Sequence, residues 1–368
     1  MRGLVPSEQI YFDILELYGG HMLDYIVEST NEFVLSKPKE VRKSYGQFFT
    51  SKSTAQFMVG LFCVHRSWTS GAYFSHFRKY LLTYGKLTNL HIFTSRNKVF
   101  DGESVLQETM ILKVRKTQVT PSDVHITSSM DSSNFEKLTA LFVPYNMVVS
   151  GIEKYVYLVT SREEIAVLQK VSAFQNPLPS MGLKMKTGLT VDFRNRDLLR
   201  NDVGDSIVPL FYSQHIKNGR VVFPIGKENE YISDEVSGVV QLNRNYLFVK
   251  RFTSKEEKRR LQCAVYLANQ YPEYKKISTQ NKINFIDTLD NSEMSEELVT
   301  GLYTVINSTL YDMYYRILNG STQVNATEMN AIPLPTRNEL EYFGRRLIEL
   351  GDFSTEYCDR VLEESIYA

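Results

Sequence analysis

Between residues 244 and 260 the chain carries Arg244, Lys250, Arg251, Lys255, Lys258, Arg259 and Arg260 against only Glu256 and Glu257. Ammonium and guanidinium groups at this density are suited to phosphate, whose counterions they displace and whose oxygens a guanidinium can meet through two parallel hydrogen bonds. A solvated charged face has the same composition, so the run by itself fixes no function. Over all 368 residues Lys plus Arg and Asp plus Glu are 42 each. A bulk positive field is therefore excluded, and any affinity for a polyanion requires cations gathered on one face. The last thirty residues are acidic. Cys63, Cys263 and Cys358 are odd in number and far apart, which suggests neither a disulfide framework nor a zinc site.

The elements that must position such groups follow from periodicity and punctuation. Apolar content of 43%, charge of 23% and aromatic content of 12% belong to a globular chain with ample core material. No apolar run is long enough for a membrane span and the start shows no signal-peptide pattern, so the expectation is a cytoplasmic protein. Residues 8 to 35 read as a helix broken near Gly19-Gly20, and residues 54 to 62 as a second helix. A third, over 71 to 84, has Tyr73, Phe74, Phe77, Tyr80 and Leu81 along one side. Strands are expected at 90–94 and 108–115, with an Asp101-Gly102 turn between them, and further strands within 119–160. Phe174 to Pro179 reads as an interdomain link. Beyond it come strands at 207–212, 220–223 and 246–251, helices at 254–270 and 293–317, an amphipathic helix at 337–350 and a short tail.

Several of these segments, in this order, resemble the gamma-class DNA adenine-N6 methyltransferases of restriction–modification and phage-defence systems, type IIG-like members included. Gly46-Gln47-Phe48-Phe49-Thr50 followed by a helix at Ala55 resembles the family's N-terminal cofactor motif. Arg66 to Phe74 with Phe77-Arg78, then Val105 to Glu108, resembles the segment after the catalytic loop. Thr187 to Arg194 resembles the entry to the recognition domain, Val249 to Leu261 its core, and Gly320 to Met329 its exit. Each piece has a bland alternative: Phe48-Phe49 as core, the Lys-Arg run as surface, Gly320 to Thr327 as a plain turn. The shared order over roughly residues 40 to 340 favours the resemblance.

The family's chemistry makes two demands. The exocyclic amine of adenine is a poor nucleophile, so the base is flipped out, stacked on an aromatic ring and faced by acceptors from an Asn-Pro-Pro-Tyr type loop. S-adenosylmethionine is held by a Gly-rich turn and an acidic residue. The eleven prolines of this chain include no adjacent pair and its nineteen glycines no Gly-x-Gly. Val143-Pro144-Tyr145-Asn146 has one proline and falls in the wrong order. The resemblance thus implies a mixed α/β chain: an incomplete Rossmann-like methyltransferase domain followed by an α+β DNA target-recognition domain. The divisions are 1–45 helical, 46–175 methyltransferase-like, 176–335 recognition and 336–368 C-terminal helix. It implies Phe48, Phe49 and Thr50 as remnants of an S-adenosylmethionine site, and Phe74 or Tyr73 as the ring that would stack on a flipped base. No methylation by this chain alone is expected, and no metal.

The partner implied is double-stranded DNA, with a second chain able to supply the missing core. Phosphate contacts are expected from Lys250, Arg251, Lys255, Lys258, Arg259 and Arg260, at a strand end and a helix start. Arg194 and Arg196 are placed to reach phosphate or guanine. Gln214, His215, Lys217 and Asn218 in a turn between strands, and Gln323 and Asn325 in the exit, are the candidate base readers, since amides pair bidentately with adenine. The alternative is a non-enzymatic specificity module similar to half of a type I restriction specificity subunit, which shares the exit seen at Gly320 to Gln323 and Ile332 to Pro335. Cofactor-motif residues at Gly46 favour the first reading. The incomplete sheet is expected to leave an edge covered by helix 8–35, the recognition domain or a partner.

Overall fold

The computed structural model describes residues 62–95, 109–130, 138–254, 256–319 and 322–366. Helices 8–35 and 54–62, Phe48, Phe49 and Thr50, the Asp101-Gly102 turn, Lys255 and Gly320-Ser321 lie outside the described residues. The chain is mixed α/β and divides into two compact units. One comprises the chain up to Arg66 with Lys79–Val148, the other Ser67–Arg78 with Val149–Ala368.

In the first unit, β1 (Phe62–His65), β2 (Lys86–Phe93), β3 (Thr109–Arg115), β4 (Asp123–Ser129) and β5 (Thr139–Pro144) form one sheet in the order β1-β3-β2-β4-β5. Helix α1 (Ser75–Tyr84) leads into β2, and a single turn, α2 (Tyr145–Val148), follows β5. Strand β2 pairs parallel to β4 and antiparallel to β3. It begins four residues earlier than the apolar run from Leu90 suggests, because Leu87 is already buried beneath the helix–strand junction. Gly85 makes that junction possible: a Cβ there would strike Val114 and lie 3.1 Å from the Leu81 carbonyl oxygen. In β4, Val124, Ile126 and Ser128 alternate inward, the period of a half-buried strand. Strand β5 ends the sheet with Phe142 72% exposed and stacked on His125 at 4.7 Å.

The second unit is built on two further sheets. Strands β8 (Leu183–Thr187), β11 (Ile216–Lys217), β12 (Gly219–Val221), β15 (Tyr246–Lys250), β16 (Cys263–Tyr266) and β18 (Ile283–Thr288) run in the order β11-β12-β16-β15-β18-β8. Strands β9 (Leu199–Arg200), β10 (Ile207–Phe211), β13 (Tyr231–Ser233), β14 (Gln241–Leu242) and β17 (Lys276–Thr279) form the order β14-β17-β10-β13-β9. A small ribbon, β6 (Val149–Ser150) with β7 (Tyr155–Val156), opens the unit. Tyr246, Phe248, Ala264, Tyr266, Ile283 and Phe285 point one way from the six-stranded sheet and pack with Phe211 and Ile277 of the five-stranded one. Helix α4 (Glu296–Ile306) packs against β15 and β16, which is why Tyr246 to Val249 are all buried and read as an unbroken apolar run. Helices α3 (Arg162–Ser172), α5 (Thr309–Leu318), α6 (Ala326–Met329), α7 (Arg337–Leu350) and α8 (Thr355–Ile366) complete it.

Three expectations need correction. Residues 254–270 are not a helix: the described part is an irregular loop, then β16 and a single 3-10 turn. The charged run has helix-forming residues but no apolar stripe, and side chains of α5 take its backbone groups instead. Asp312 accepts from the amides of Arg260 and Leu261 at 2.7 and 2.8 Å, while Arg316 donates to the carbonyls of Glu257 and Lys258 at 2.9 and 3.2 Å. The helix expected over 293–317 is two, because Ser308 caps α5 by accepting from the Tyr311 amide. The tail after Leu350 contains a full helix, α8, set off by Gly351 in the left-handed region. Residues 149–175 pack within the second unit, where Leu158 donates to the Ile317 carbonyl at 3.3 Å and the hydroxyls of Tyr157 and Tyr314 meet at 2.6 Å.

Candidate nucleic-acid interface

One end of the six-stranded sheet gathers polar and cationic groups. Registers Asn284–Thr187, Lys250–Ile283, Val249–Cys263 and Gly219–Ala264 bring to this end the close of β8, the start of β18, the close of β15 and the starts of β16 and β12. Arg251 lies at its centre. Its amide donates to the Lys282 carbonyl at 2.9 Å, and its guanidinium donates to the Asn281 carbonyl at 3.2 Å and the Gln323 side-chain oxygen at 3.3 Å. Lys250 donates to Gln262 at 2.9 Å, while Lys282 and Lys258 are exposed. The loop after β8 joins this end through Thr190, whose carbonyl accepts from the Asn281 amide at 2.8 Å, and through Asp192, which accepts from Gln280 at 3.1 Å. That loop carries exposed Phe193, Arg194 and Arg196.

The exit segment is fixed from below. The Asn325 amide donates to the Tyr315 hydroxyl at 3.0 Å, that hydroxyl donates to buried Glu328 at 2.9 Å, and Asn319 donates to both Glu328 and the Gln323 carbonyl. Asn284 donates to the Val324 carbonyl at 2.7 Å. Residues 322–325 therefore hold one conformation while Gln323, half-buried, faces Arg251. Asn325 stands at the start of α6 without capping it through its side chain.

Two members of the expected contact set are structural in this conformation. Arg260 is fully buried and its guanidinium donates to the Thr253 carbonyl. Arg259 is turned toward α5, donating to the carbonyls of Asn307 and Ser308 at 2.7 and 3.0 Å with Asp312 at 4.0 Å. The expected helix start would have exposed them; the loop tucks them in. His215 is likewise buried: its Nδ1 accepts from the Tyr212 amide at 2.8 Å, so Nε2 carries the hydrogen that meets Glu230 at 2.6 Å. Burial lowers the His215 pKa, against the pull of the Glu230 hydrogen bond, and Glu230 itself is lowered. A ring enclosed in this way cannot read a base edge. Gln214, Lys217 and Asn218 are exposed. Asn218 and Gly219 both take positive φ between paired Lys217 and Arg220, a two-residue hairpin turn for which Asn-Gly is suited.

Tyr73 is 92% exposed, with its ring edge-on to Phe74 at 5.3 Å. The turn beneath is held by buried Arg78, which donates to the carbonyls of Trp68, Gly71 and Glu153 at 2.8, 3.1 and 2.9 Å. Among the described residues of the first unit, no glycine-rich strand-to-helix turn occurs, and Gly85 serves packing. The residues the resemblance assigns to S-adenosylmethionine, Phe48, Phe49 and Thr50, lie outside the described residues. Among the described residues no group of three His, Cys, Asp or Glu is placed to hold a metal, and no helix is long and apolar enough to cross a membrane. Missed in the sequence were Lys282, Asn281, Phe193 and Phe252. The signal available was their position just outside strand ends, where loops carry binding groups.

No family model matches the chain. It is similar to type II methyltransferases: 36% identical to M.BsuBI of Bacillus subtilis over 310 residues, covering 83% of this chain and 61% of the relative. To M.PstI of Providencia stuartii it is 31% identical over 310 residues, covering 82% and 60%. The chain thus spans about three fifths of the length of these curated relatives. Among solved structures, the type IIL restriction–modification enzyme MmeI in complex with DNA gives a TM-score of 0.47 at 12% identity, covering 86% of this chain and 48% of that one. Nothing about function follows from so slight a likeness.

Proposed function

We propose that residues 176–335 are a DNA target-recognition domain of a restriction–modification methyltransferase, and that this chain alone transfers no methyl group. The observation that carries the reading is the sheet end where Lys250, Arg251, Lys282 and Gln323 converge with the loop bearing Arg194. Cations there are placed for phosphates, and Gln323, oriented by Arg251, is placed for a base edge. The similarity to type II methyltransferases supports the class. The Asn176–Leu334 bridge, with hydrogen bonds of 3.1 and 3.3 Å, supports the proposed boundaries, since it ties the two ends of the segment together.

Loss of activity is supported by the absence from the sequence of adjacent prolines and of Gly-x-Gly. Exposed Tyr73 could stack on a base, but stacking alone does not make an amine nucleophilic. Supply of the missing loops by a second chain is part of the same proposal, as is S-adenosylmethionine as the cofactor of that assembly. Two measurements test it. Anisotropy with randomised duplexes at two salt concentrations should show binding that weakens steeply with salt. Incubation with labelled S-adenosylmethionine and mixed-sequence DNA should transfer no label, and labelled adenine would refute the second half of the proposal.

A further inference from the structure

We propose that Phe193 and Phe252 are wedges that enter base steps, so that the ligand is duplex DNA unstacked or bent at the site; this rests on the DNA-reading role proposed above for the same face. Phe193 is 66% exposed and Phe252 45%, with Leu189 at 37% beside the first loop. Exposed apolar groups rimmed by cations form the kind of surface that marks an interaction site. Each ring has its own guanidinium, Arg194 at 5.5 Å from the Phe193 centroid and Arg251 at 5.4 Å from that of Phe252. Proteins that open base steps from the minor groove combine apolar wedges of this kind with basic side chains along the same groove.

Both loops hang from one turn, Gln280 to Lys282, through the Asp192–Gln280, Thr190–Asn281 and Arg251–Lys282 hydrogen bonds. They are also braced locally. Phe252 bridges to Gln323, the Val324 amide donates to the Arg251 carbonyl at 2.7 Å, and the Arg194 amide closes a turn on the Val191 carbonyl at 2.9 Å. A wedge that yields cannot open a base step; these backbones are anchored. The surrounding Arg194, Arg196, Lys250, Arg251, Lys258 and Lys282 outnumber the acids of the same loops, Asp192, Asp197, Glu256 and Glu257, which favours a polyanion as the occupant over an apolar protein surface.

The test uses the whole chain, the Phe193→Ala/Phe252→Ala variant and the Phe252→Trp variant, with fluorescein-labelled duplexes of randomised sequence. One pool is fully paired; the other has one central unpaired base. An unpaired base has already lost part of the stacking a wedge must break, so the parent should bind that pool about tenfold more tightly. The double alanine variant should bind both pools alike, and Phe252→Trp should keep the preference. A parent that binds both pools equally, or a double variant that retains the preference, overturns the wedge and leaves DNA reading intact. A parent that binds neither pool overturns the DNA reading itself. Because both rings are exposed, variants and parent should melt together.

Discussion

Replacing Gly301 by alanine should destabilise the helix packing that supports the proposed DNA face, although the residue makes no part of that face. Gly301 and Gly344 are where α4 and α7 cross backbone to backbone. A Cβ on Gly301 would lie 2.5 Å from the carbonyl carbon of Leu340 and closer still to its oxygen, while one on Gly344 would lie 2.7 Å from the carbonyl carbon of Glu297. Ordinary contact begins near 3.4 Å and the Leu340 oxygen is nearer than its carbon, so the helices must part by more than about 1 Å, and a gap of about 1 Å already forfeits up to about half of each contact's attraction. Helix α7 buries Leu340, Phe343 and Leu347 in this crossing. At about 2 kcal/mol of burial each, the loss is about 2–3 kcal/mol, in line with measured overpacking. For a unit of this size that is a fall of roughly 5–10 °C in Tm. The comparison is Gly238→Ala, where a Cβ meets nothing within 4 Å and φ is not positive, so no loss is expected. Thermal and urea melts of both variants decide it. A Gly301→Ala protein within about 1 kcal/mol of the parent would mean that the close crossing is not as described.

Lys282→Ala should weaken binding to all duplexes alike and reduce the salt slope by about 0.9, whereas a loss confined to one sequence would contradict a phosphate role. Asp312→Ala removes the acceptor of the Arg260 and Leu261 amides and the partner of Arg316; about 2–4 kcal/mol of stability should go with it, and limited trypsin digestion should cut after Lys258 or Arg259 sooner. His91 is buried with its pKa lowered by desolvation from 6.5 to about 4. Its folded value lies below its unfolded one, so the stabilisation is complete above pH 6.5 and fades toward pH 4, by about 3 kcal/mol. Parent and His91→Gln should therefore differ in the slope of stability over that window, and identical slopes would refute the assignment. His215, also lowered by burial, should give the second unit a loss of the same sign as pH falls below its unfolded value, absent in His215→Gln.

The sequence revealed the strands better than the loops between them, for a physical reason. Tyr246 to Val249 and Val208 to Phe211 are runs buried on both sides and almost wholly apolar, so composition alone marks them. A turn at Gln214 to Asn218 was legible, and the structure closes it as an Asn-Gly hairpin at 218–219 with both residues at positive φ. Residues 254–270 carry a helix-favouring composition at their start, while the decisive partners of that start, Asp312 and Arg316, lie more than fifty residues downstream. The same distance hid the role of Arg259 and Arg260. Nothing local distinguishes an arginine that meets phosphate from one that ties a loop to a helix.

That distinction narrows the candidate site. Among the described residues of the basic run, Arg259 and Arg260 are turned inward onto backbone carbonyls and Arg244 pairs with Asp287; Lys250, Arg251 and Lys258 stay at the sheet end, Arg251 tied there to the Asn281 carbonyl and Gln323, and Lys282 joins them from the turn before β18. Gln323 gains its orientation from Arg251 and its backbone position from Tyr315, Asn319 and Glu328 beneath. A base reader must have its hydrogen-bonding direction set before the base arrives, or the entropy of ordering it cancels the discrimination it offers. The buried polar network under residues 322–325 supplies that order. On the proposed DNA-reading role, Glu328, which contributes no surface charge, would bear more closely on specificity than the exposed cations around it, because the network under Gln323 sets the direction in which its amide is presented.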